Sequence, residues 1–272
     1  MTKEEKYSQL QKNLQSMGSV AIAFSGGVDS AFLAKVAADM LGDKAVAFTA
    51  VSSSYPARER EESKKLAASI GIQQVFFESE ETEIPQFKDN PPDRCYYCKH
   101  ELYGKLLALA KTHGLTAVLD GSNADDAGDF RPGIRALEEL KITSPLKEAG
   151  LNKQEIRDLS KALGLLTWDK PAFACLSSRF QYGESITREK LSRVEQAEDF
   201  LKNAGFRVLR VRDHGNMVRI ETSQEEMDRF LDPAFREKVV VTLKAIGYLF
   251  VSLDLEGYRM GSMNAVLKEG KV

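Results

Sequence analysis

One passage near the start of the chain constrains its fold more than any other. Val20-Ala21-Ile22-Ala23-Phe24 is a short apolar run bounded by Gly18 and Gly26, and it reads as a buried strand. Ser25-Gly26-Gly27-Val28-Asp29-Ser30 follows at once, and then Phe32, Leu33, Val36, Ala37, Met40 and Leu41 repeat at helical spacing. A strand that turns through two glycines into a helix is an anion site. The glycines let the backbone come close to an oxyanion and expose successive N–H groups, and the new helix points its positive end there. Ser25 and Ser30 add hydroxyl donors. Asp29 would repel a bare phosphate, so it makes sense beside a metal ion such as Mg²⁺ bridging phosphate oxygens. The loop lacks the terminal lysine of G-x-x-x-x-G-K-[ST], and no G-x-G-x-x-G is present. A plain glycine turn is the competing explanation. The serines and the aspartate, set between a strand and a helix, weigh against it.

The same alternation continues. Tyr7, Leu10, Leu14 and Met17 suggest a first amphipathic helix, and Ala45 to Ala50 a second strand. Pro56 opens a charged helix reaching about Ile70, with Gly71 at its end. Val75-Phe76-Phe77 reads as a third strand, Leu102 to Ala110 as another helix, and Thr116 to Leu119 as a fourth strand. This order predicts an α/β fold with a parallel sheet and crossover helices. Asn152 and Glu155 form a capping pair before a helix carrying Ile156, Leu159 and Leu163. Further on the pattern changes: a helix near Arg188–Leu201, alternating runs at Arg207–Arg212 and Met217–Glu221, and a strand-like Leu249–Leu253. Two domains are expected, an α/β domain over 1–172 and a smaller α+β domain over 173–272, as suits 272 residues at about 150 per domain. No internal repeat or low-complexity segment is evident.

Composition narrows the function. Lys and Arg total 38 against 40 Asp and Glu, so the chain lacks the basic excess of a protein that lives on nonspecific duplex nucleic acid. No apolar run reaches membrane-span length, and the start, MTKEEKYSQLQ, carries acids and no apolar signal core. A cytoplasmic setting is the expectation. The three cysteines, Cys95, Cys98 and Cys175, are an odd count without an export signal, which argues against a disulfide framework.

Cys95 and Cys98 stand within Pro92-Asp93-Arg94-Cys95-Tyr96-Tyr97-Cys98-Lys99, on adjacent turns near a helix start. Arg94, Lys99 and the helix end would lower their pKa and favour thiolates. Cys175 lies in Pro171-Ala172-Phe173-Ala174-Cys175-Leu176-Ser177-Ser178-Arg179. Buried apolar cysteines, a regulatory disulfide, and a zinc site recruiting His100, His113 or His214 all remain open, although His113 better suits a helix-end dipole partner. Three cysteines without a fourth also suit a [4Fe–4S] cluster with one iron left open, since such clusters usually take four.

Two resemblances sharpen these readings. The Ser25–Ser30 hexapeptide resembles the pyrophosphate loop of the PP-loop, or N-type ATP pyrophosphatase, superfamily, an adenine nucleotide alpha hydrolase-like fold. That resemblance implies ATP split between its α and β phosphates, with AMP transferred to a substrate oxygen. It also implies adenine against the loop after the second strand, around Thr49 to Ser53, with Thr49 and Ser52 as candidate contacts. Together with PPDRCYYCK, DGSNADDAGDFRPG, ACLSSRF-x-YGE and RVRDHGNMVRIE, the loop makes the chain similar to the LarE family from about residue 18 to 265. These are ATP-dependent sulfur transferases that make the nickel-pincer nucleotide cofactor of lactate racemase. The resemblance implies adenylation of a carboxylate on pyridinium-3,5-dicarboxylate mononucleotide, then delivery of sulfur to give a thiocarboxylate. Cys95, Cys98 and Cys175 resemble the three-cysteine form, which implies a [4Fe–4S] cluster turning over with sulfide or another sulfur donor. The best-known form lacks the C-x-x-C and sacrifices one cysteine, so Cys175 as a consumed donor is the second reading. LarE relatives suggest a homo-oligomer, a hexamer.

Other residues are candidates singly. Asp125 or Asp126, after the fourth strand, could help hold Mg²⁺, and Arg131 a phosphate; a solvated acidic loop explains them equally well. Ser178, Arg179, Arg210 and Arg212 could clamp the substrate phosphate, because Arg matches phosphate geometry and alternation puts Arg210 and Arg212 on one strand face. Glu198 and Glu221 match acidic positions in the family's substrate or metal region, although each alone reads as a surface glutamate. Lys99 is a further candidate, and Tyr96 and Tyr97 read as packing residues. Thiolation of tRNA, amide-forming ligation and passive AMP binding are the competing functions. Near-neutral charge and the lack of an RNA-binding module weigh against the first, and unexplained cysteines against the second.

Overall fold

A computed structural model describes residues 1–79, 81–128, 132–171, 174–259 and 261–264. In chain order, helix α1 (Lys3–Met17) precedes β1 (Val20–Ala23), α2 (Val28–Leu41), β2 (Ala45–Val51), α3 (Ala57–Ile70) and β3 (Gln73–Glu78). The short α4 (Pro85–Lys88) is followed by α5 (Arg94–Thr112), β4 (Ala117–Leu119), α6 (Pro132–Glu139), α7 (Pro145–Glu148) and α8 (Lys153–Ala162). Then come α9 (Arg188–Asn203), β5 (Leu209–His214), β6 (Met217–Thr222), α10 (Gln224–Met227), α11 (Pro233–Ile246) and β7 (Phe250–Leu253). These elements divide into two compact units. One is Met1–Glu81 with Asp93–Phe173; the other is Thr82–Pro92 with Ala174–Val272.

The first unit is the expected α/β fold, a four-stranded parallel sheet in the order β3-β2-β1-β4. Alternation along β1 explains its two covered faces. Val20 and Ile22 join Leu10, Leu14, Phe32 and Leu33 on one side, while Ala21 joins Phe48, Leu106 and Val118 on the other. In β2, Ala45 and Ala47 face the first cluster and Val46 and Phe48 the second. Strand order reverses between β1 and β4, so the loops leaving these two strands flank the switch point, where open α/β sheets bind ligands. Local signals set the helix ends. Thr2 with Glu5 and Asn152 with Glu155 form capping boxes, and Gly71 ends α3 in the left-handed region.

The second unit is a smaller α+β fold with the sheet order β5-β6-β7. β5 and β6 form an antiparallel pair and β7 joins β6 in parallel. Leu209, Val211, Val218 and Ile220 face Ala197 and Leu201 of α9 and Val239 and Leu243 of α11, which leaves Arg210, Arg212 and Arg219 on the opposite face. β5 starts later than the alternating run from Arg207 predicts. The backbone N–H groups of Arg207 and Val208 point at the Glu226 carboxylate (3.1 and 3.4 Å), so they join no ladder. Among the described residues no helix is long and apolar enough to cross a membrane.

Candidate active site

In the first unit, the loop between β1 and α2 departs from regular backbone at Gly26, whose φ is +71°. A Cβ there would also lie 3.2 Å from the Ser63 Cβ of α3, so a side chain is excluded by conformation and by space. Gly27 is the N-cap of α2, and no side-chain bond caps that helix. Its first-turn N–H groups therefore present the positive end of a 14-residue helix to whatever the loop holds. Ser25 and Ser30 stand with their hydroxyls 3.2 Å apart, and Ser30 also donates to the Gly27 carbonyl (3.2 Å). Tyr55 donates to the Ser25 carbonyl (3.1 Å), and burial pushes its pKa up to about 12, so the hydroxyl keeps its proton.

Two lysines that sequence reasoning missed reach this loop. Lys170 Nζ donates to Glu59 (2.8 Å), to Glu62 (3.0 Å) and to the Gly26 carbonyl (3.4 Å). Burial works against its charge, but the two carboxylates outweigh burial and raise its pKa. Lys153, the first residue of α8, donates through Nζ to Asp29 Oδ2 at 2.5 Å, and Asn123 approaches the other Asp29 oxygen at 3.4 Å. The loop after β4 lies directly on the start of α2, since a Cβ on Gly121 would be 3.2 Å from the Ser30 nitrogen. Asp125 accepts from the Lys153 backbone N–H and Asp126 from that of Asn123, both at 2.9 Å. The one sequence signal for Lys153 was its place just inside the Asn152 cap. Nothing local marked Lys170.

Of the proposed adenine contacts, Thr49 lies inside β2 and not in the loop after it. Its hydroxyl donates to the Phe24 carbonyl (2.7 Å) and accepts from Gln74 (2.8 Å), with 1% of the residue exposed. Ser52 does occupy that loop, 3.2 Å from the Ser54 hydroxyl. Lys99 runs its stem across the start of α6, where a Cβ on Gly133 would sit 2.7 Å from Lys99 Cδ. Arg131 lies outside the described residues. Tyr96 packs as expected, edge to face with Tyr97 and under the Arg135 guanidinium, and also donates to Glu139 at 2.7 Å.

In the second unit, Ser178, Arg179, Arg212, Glu198 and Glu221 come together around the backbone of Cys175. Arg179 grips Glu198 through Nε and Nη2 (2.8 and 2.9 Å), and its Nη1 reaches the carbonyls of Ala174 (2.8 Å) and Cys175 (3.1 Å) and the Ser178 hydroxyl (2.9 Å). Arg212 reaches the Ser178 carbonyl (3.1 Å), Glu221 (2.6 Å) and Ser262 (2.9 Å). Glu198 and Glu221 are thus buried ion-pair carboxylates, against the expectation of surface glutamates: they are 2% and 0% exposed. Burial would raise the Glu198 pKa, but the Arg179 charge overrides it and holds the pKa low. Arg210 stacks its guanidinium over Tyr258, and burial together with Arg179 lowers its pKa.

All three cysteines are thiols outside any disulfide, Cys95 exposed and Cys98 and Cys175 half-buried. Cys95 and Cys98, three residues apart at the start of α5, share a helical face. As soft donors they suit iron or zinc. Among the described residues, no three His, Cys, Asp or Glu side chains are grouped to hold a metal ion.

Comparisons with known proteins agree with this geometry. The asparagine synthase family model matches residues 7–167. A Synechocystis sp. protein described as uncharacterised is 46% identical over 264 residues, 97% of this chain and 98% of that one. The pyridinium-3,5-bisthiocarboxylic acid mononucleotide synthase of Lactiplantibacillus plantarum is 36% identical over 268 residues, 98% of this chain and 96% of that one. The chain belongs to the LarE family of the PP-loop superfamily. Its ATP-binding character follows from the superfamily, and the family's work is sulfur transfer in cofactor biosynthesis. A glutamine-hydrolysing GMP synthase component from Saccharolobus solfataricus is a more distant relative of this LarE chain, 24% identical over 267 residues, 90% of this chain and 71% of that one.

Proposed function

We propose that the chain adenylates a carboxylate of pyridinium-3,5-dicarboxylate mononucleotide and replaces one of its oxygens with sulfur, in the synthesis of a nickel-pincer nucleotide. The observation that carries this reading is the uncapped start of α2 behind Ser25-Gly26-Gly27, at the switch point of the sheet. The name of the L. plantarum relative supports the substrate class. A carboxylate oxygen attacks the α-phosphorus of ATP, the bond to the α–β bridging oxygen breaks, and pyrophosphate leaves with the electron pair. Sulfur then attacks the acyl-adenylate carbon, and AMP departs with the electrons of the C–O bond. Adenylation is needed because a carboxylate oxygen is a poor leaving group and AMP is a good one.

Ser25, Gly26, Gly27 and Ser30 bind the phosphates, Asp29 is the first choice for Mg²⁺ with Asp125 the second, and Ser52 is the candidate contact for adenine. Ser178 and the Arg179–Glu198 pair fix the backbone of Cys175, and Arg210 and Arg212 share the strand face on which a substrate phosphate would be met. A [4Fe–4S] cluster held by Cys95, Cys98 and Cys175 would supply sulfide in reactive form. Donation of sulfur by Cys175 itself is the second reading. Self-association is supported by exposed Leu231, Val241, Leu249, Phe250 and Leu255 in the second unit.

Incubation with the dicarboxylated nucleotide, MgATP and sulfide tests the reading. Pyrophosphate release and a gain of sulfur in the nucleotide are expected, both lost in Asp29→Ala. No pyrophosphate from the wild type would reject it. Mass spectrometry of the protein separates the two sulfur sources: a loss of about 34 Da, one H₂S from a thiol, marks Cys175 as the donor. An intact Cys175, with iron and acid-labile sulfide found under anaerobic conditions, marks the cluster.

A further inference from the structure

Backbone N–H groups bind an oxyanion well only when they point one way, and a glycine-rich turn does not fix their direction by itself. In a trans peptide the carbonyl of one residue and the N–H of the next point in opposite directions, so whatever holds the carbonyl also aims the N–H. Two consecutive carbonyls of the Ser25–Ser30 loop are held from outside it. The Tyr55 hydroxyl donates to the Ser25 carbonyl (3.1 Å) and stands 3.2 Å from the Glu59 carbonyl. The Lys170 ammonium, spread over the Glu59 and Glu62 carboxylates, reaches the Gly26 carbonyl at 3.4 Å. Both contacts return to the start of α3, and Ser63, one turn beyond Glu59, lies 3.2 Å from where a Gly26 Cβ would sit. The carbonyl side of the loop is thus pressed against α3. The Gly26 and Gly27 N–H groups are turned away from that wall, and the Gly27 N–H has only a 3.4 Å contact with the Ser25 hydroxyl.

We infer that Tyr55 is a positioning residue for the reaction: through the Ser25 carbonyl it aims the Gly26 N–H at the phosphates without touching the nucleotide. This inference deepens the reading of Ser25–Ser30 as the nucleotide site and rests on it. Burial raises the pKa of the phenol to about 12, so the donor is present at any pH near neutrality. Two competing roles are a tie that serves stability alone and a direct contact with adenine or ribose.

Titration calorimetry of the full chain with MgATP and, separately, with magnesium pyrophosphate separates the three roles. Tyr55→Phe keeps the ring and loses only the hydroxyl. Affinity for both ligands should fall by the same factor, about 3- to 10-fold, the net worth of one hydrogen bond. Unchanged affinity for pyrophosphate overturns the inference, whether Tyr55 then proves a stabilising tie or, with a loss for MgATP alone, a nucleoside contact. A second measurement reads the N–H itself. Ser25-Gly26 is the only Ser-Gly step in the chain, so ¹³C at serine carbonyls and ¹⁵N at glycine single out the Gly26 amide in an NMR spectrum. Its proton signal should move downfield when pyrophosphate binds to the wild type, and should move less in saturated Tyr55→Phe. Equal movement in both, or none in a wild type that binds pyrophosphate, would overturn the inference and leave the nucleotide site standing. A wild type that binds neither ligand would remove the nucleotide site itself.

Discussion

The Ser25–Ser30 loop of the first unit and the arginine cluster of the second are both rich in polar groups, yet they use them in opposite ways. At Ser25–Ser30 the helix start is left without a cap, and the lysine beside it has donors unspent. In the second unit the charges are turned inward: Arg179 with Glu198, Arg212 with Glu221 and Arg193 with Asp213 are ion pairs in which each carboxylate is almost fully buried. The first arrangement keeps its binding capacity for a ligand, whereas the second has spent it on holding a backbone in place. A buried arginine near a reactive residue is thus better read as a positioning group until its donors have been counted.

The largest effect that could break this contrast is expected in the second unit. Glu198→Ala strands a guanidinium that is 2% exposed, so denaturant unfolding should show a loss of about 3–5 kcal/mol, with much of it recovered in Arg179→Met/Glu198→Leu. A loss near zero would mean the pair holds nothing. Next is Gly26→Ala in the phosphate loop, where the left-handed backbone alone costs about 1–2 kcal/mol, and the new methyl against Ser63 should also weaken ATP binding. Smaller again is Thr49→Val, which removes one buried donor to the Phe24 carbonyl and should cost about 1 kcal/mol. The KM for ATP should stay unchanged if Thr49 only ties β2 to the end of β1; a raised KM would restore it as an adenine contact.

The smallest effect is one of pH. The Glu198 pKa is depressed in the folded chain by Arg179. Its contribution to stability is therefore full above the ordinary glutamate value of about 4.3 and is lost as pH falls through the lower folded value. Acid unfolding of the Arg179→Met/Glu198→Leu variant should accordingly be shallower below that pH than that of the wild type. An unchanged slope would place the acid sensitivity elsewhere.

Much of the first unit was legible because its signals are local. An apolar run between glycines, a helical stripe after Ser30 and a capping pair at Asn152 and Glu155 each state their structure within a few residues. The glycine turn from β1 into α2 was legible for the same reason. Lys153 and Lys170 were not, since they reach the loop from 124 and 144 positions away and a lone lysine carries no pattern. Glu198 was legible as a residue and misread as a surface glutamate: composition marks a charged side chain as exposed, and only the tertiary fold reveals its partner Arg179, 19 residues away. Arg210 and Arg212 do share a face, as alternation requires, but register with Glu221 and Arg219 decides what they meet there.

The hold of Arg179 on the carbonyls of Ala174 and Cys175 is a hold on the main chain and not on sulfur. It is blind to the fate of Sγ. Whether that atom is given away, oxidised or bound to iron, the segment carrying it keeps its shape, so one scaffold can serve a residue that survives its reaction or one that is consumed by it.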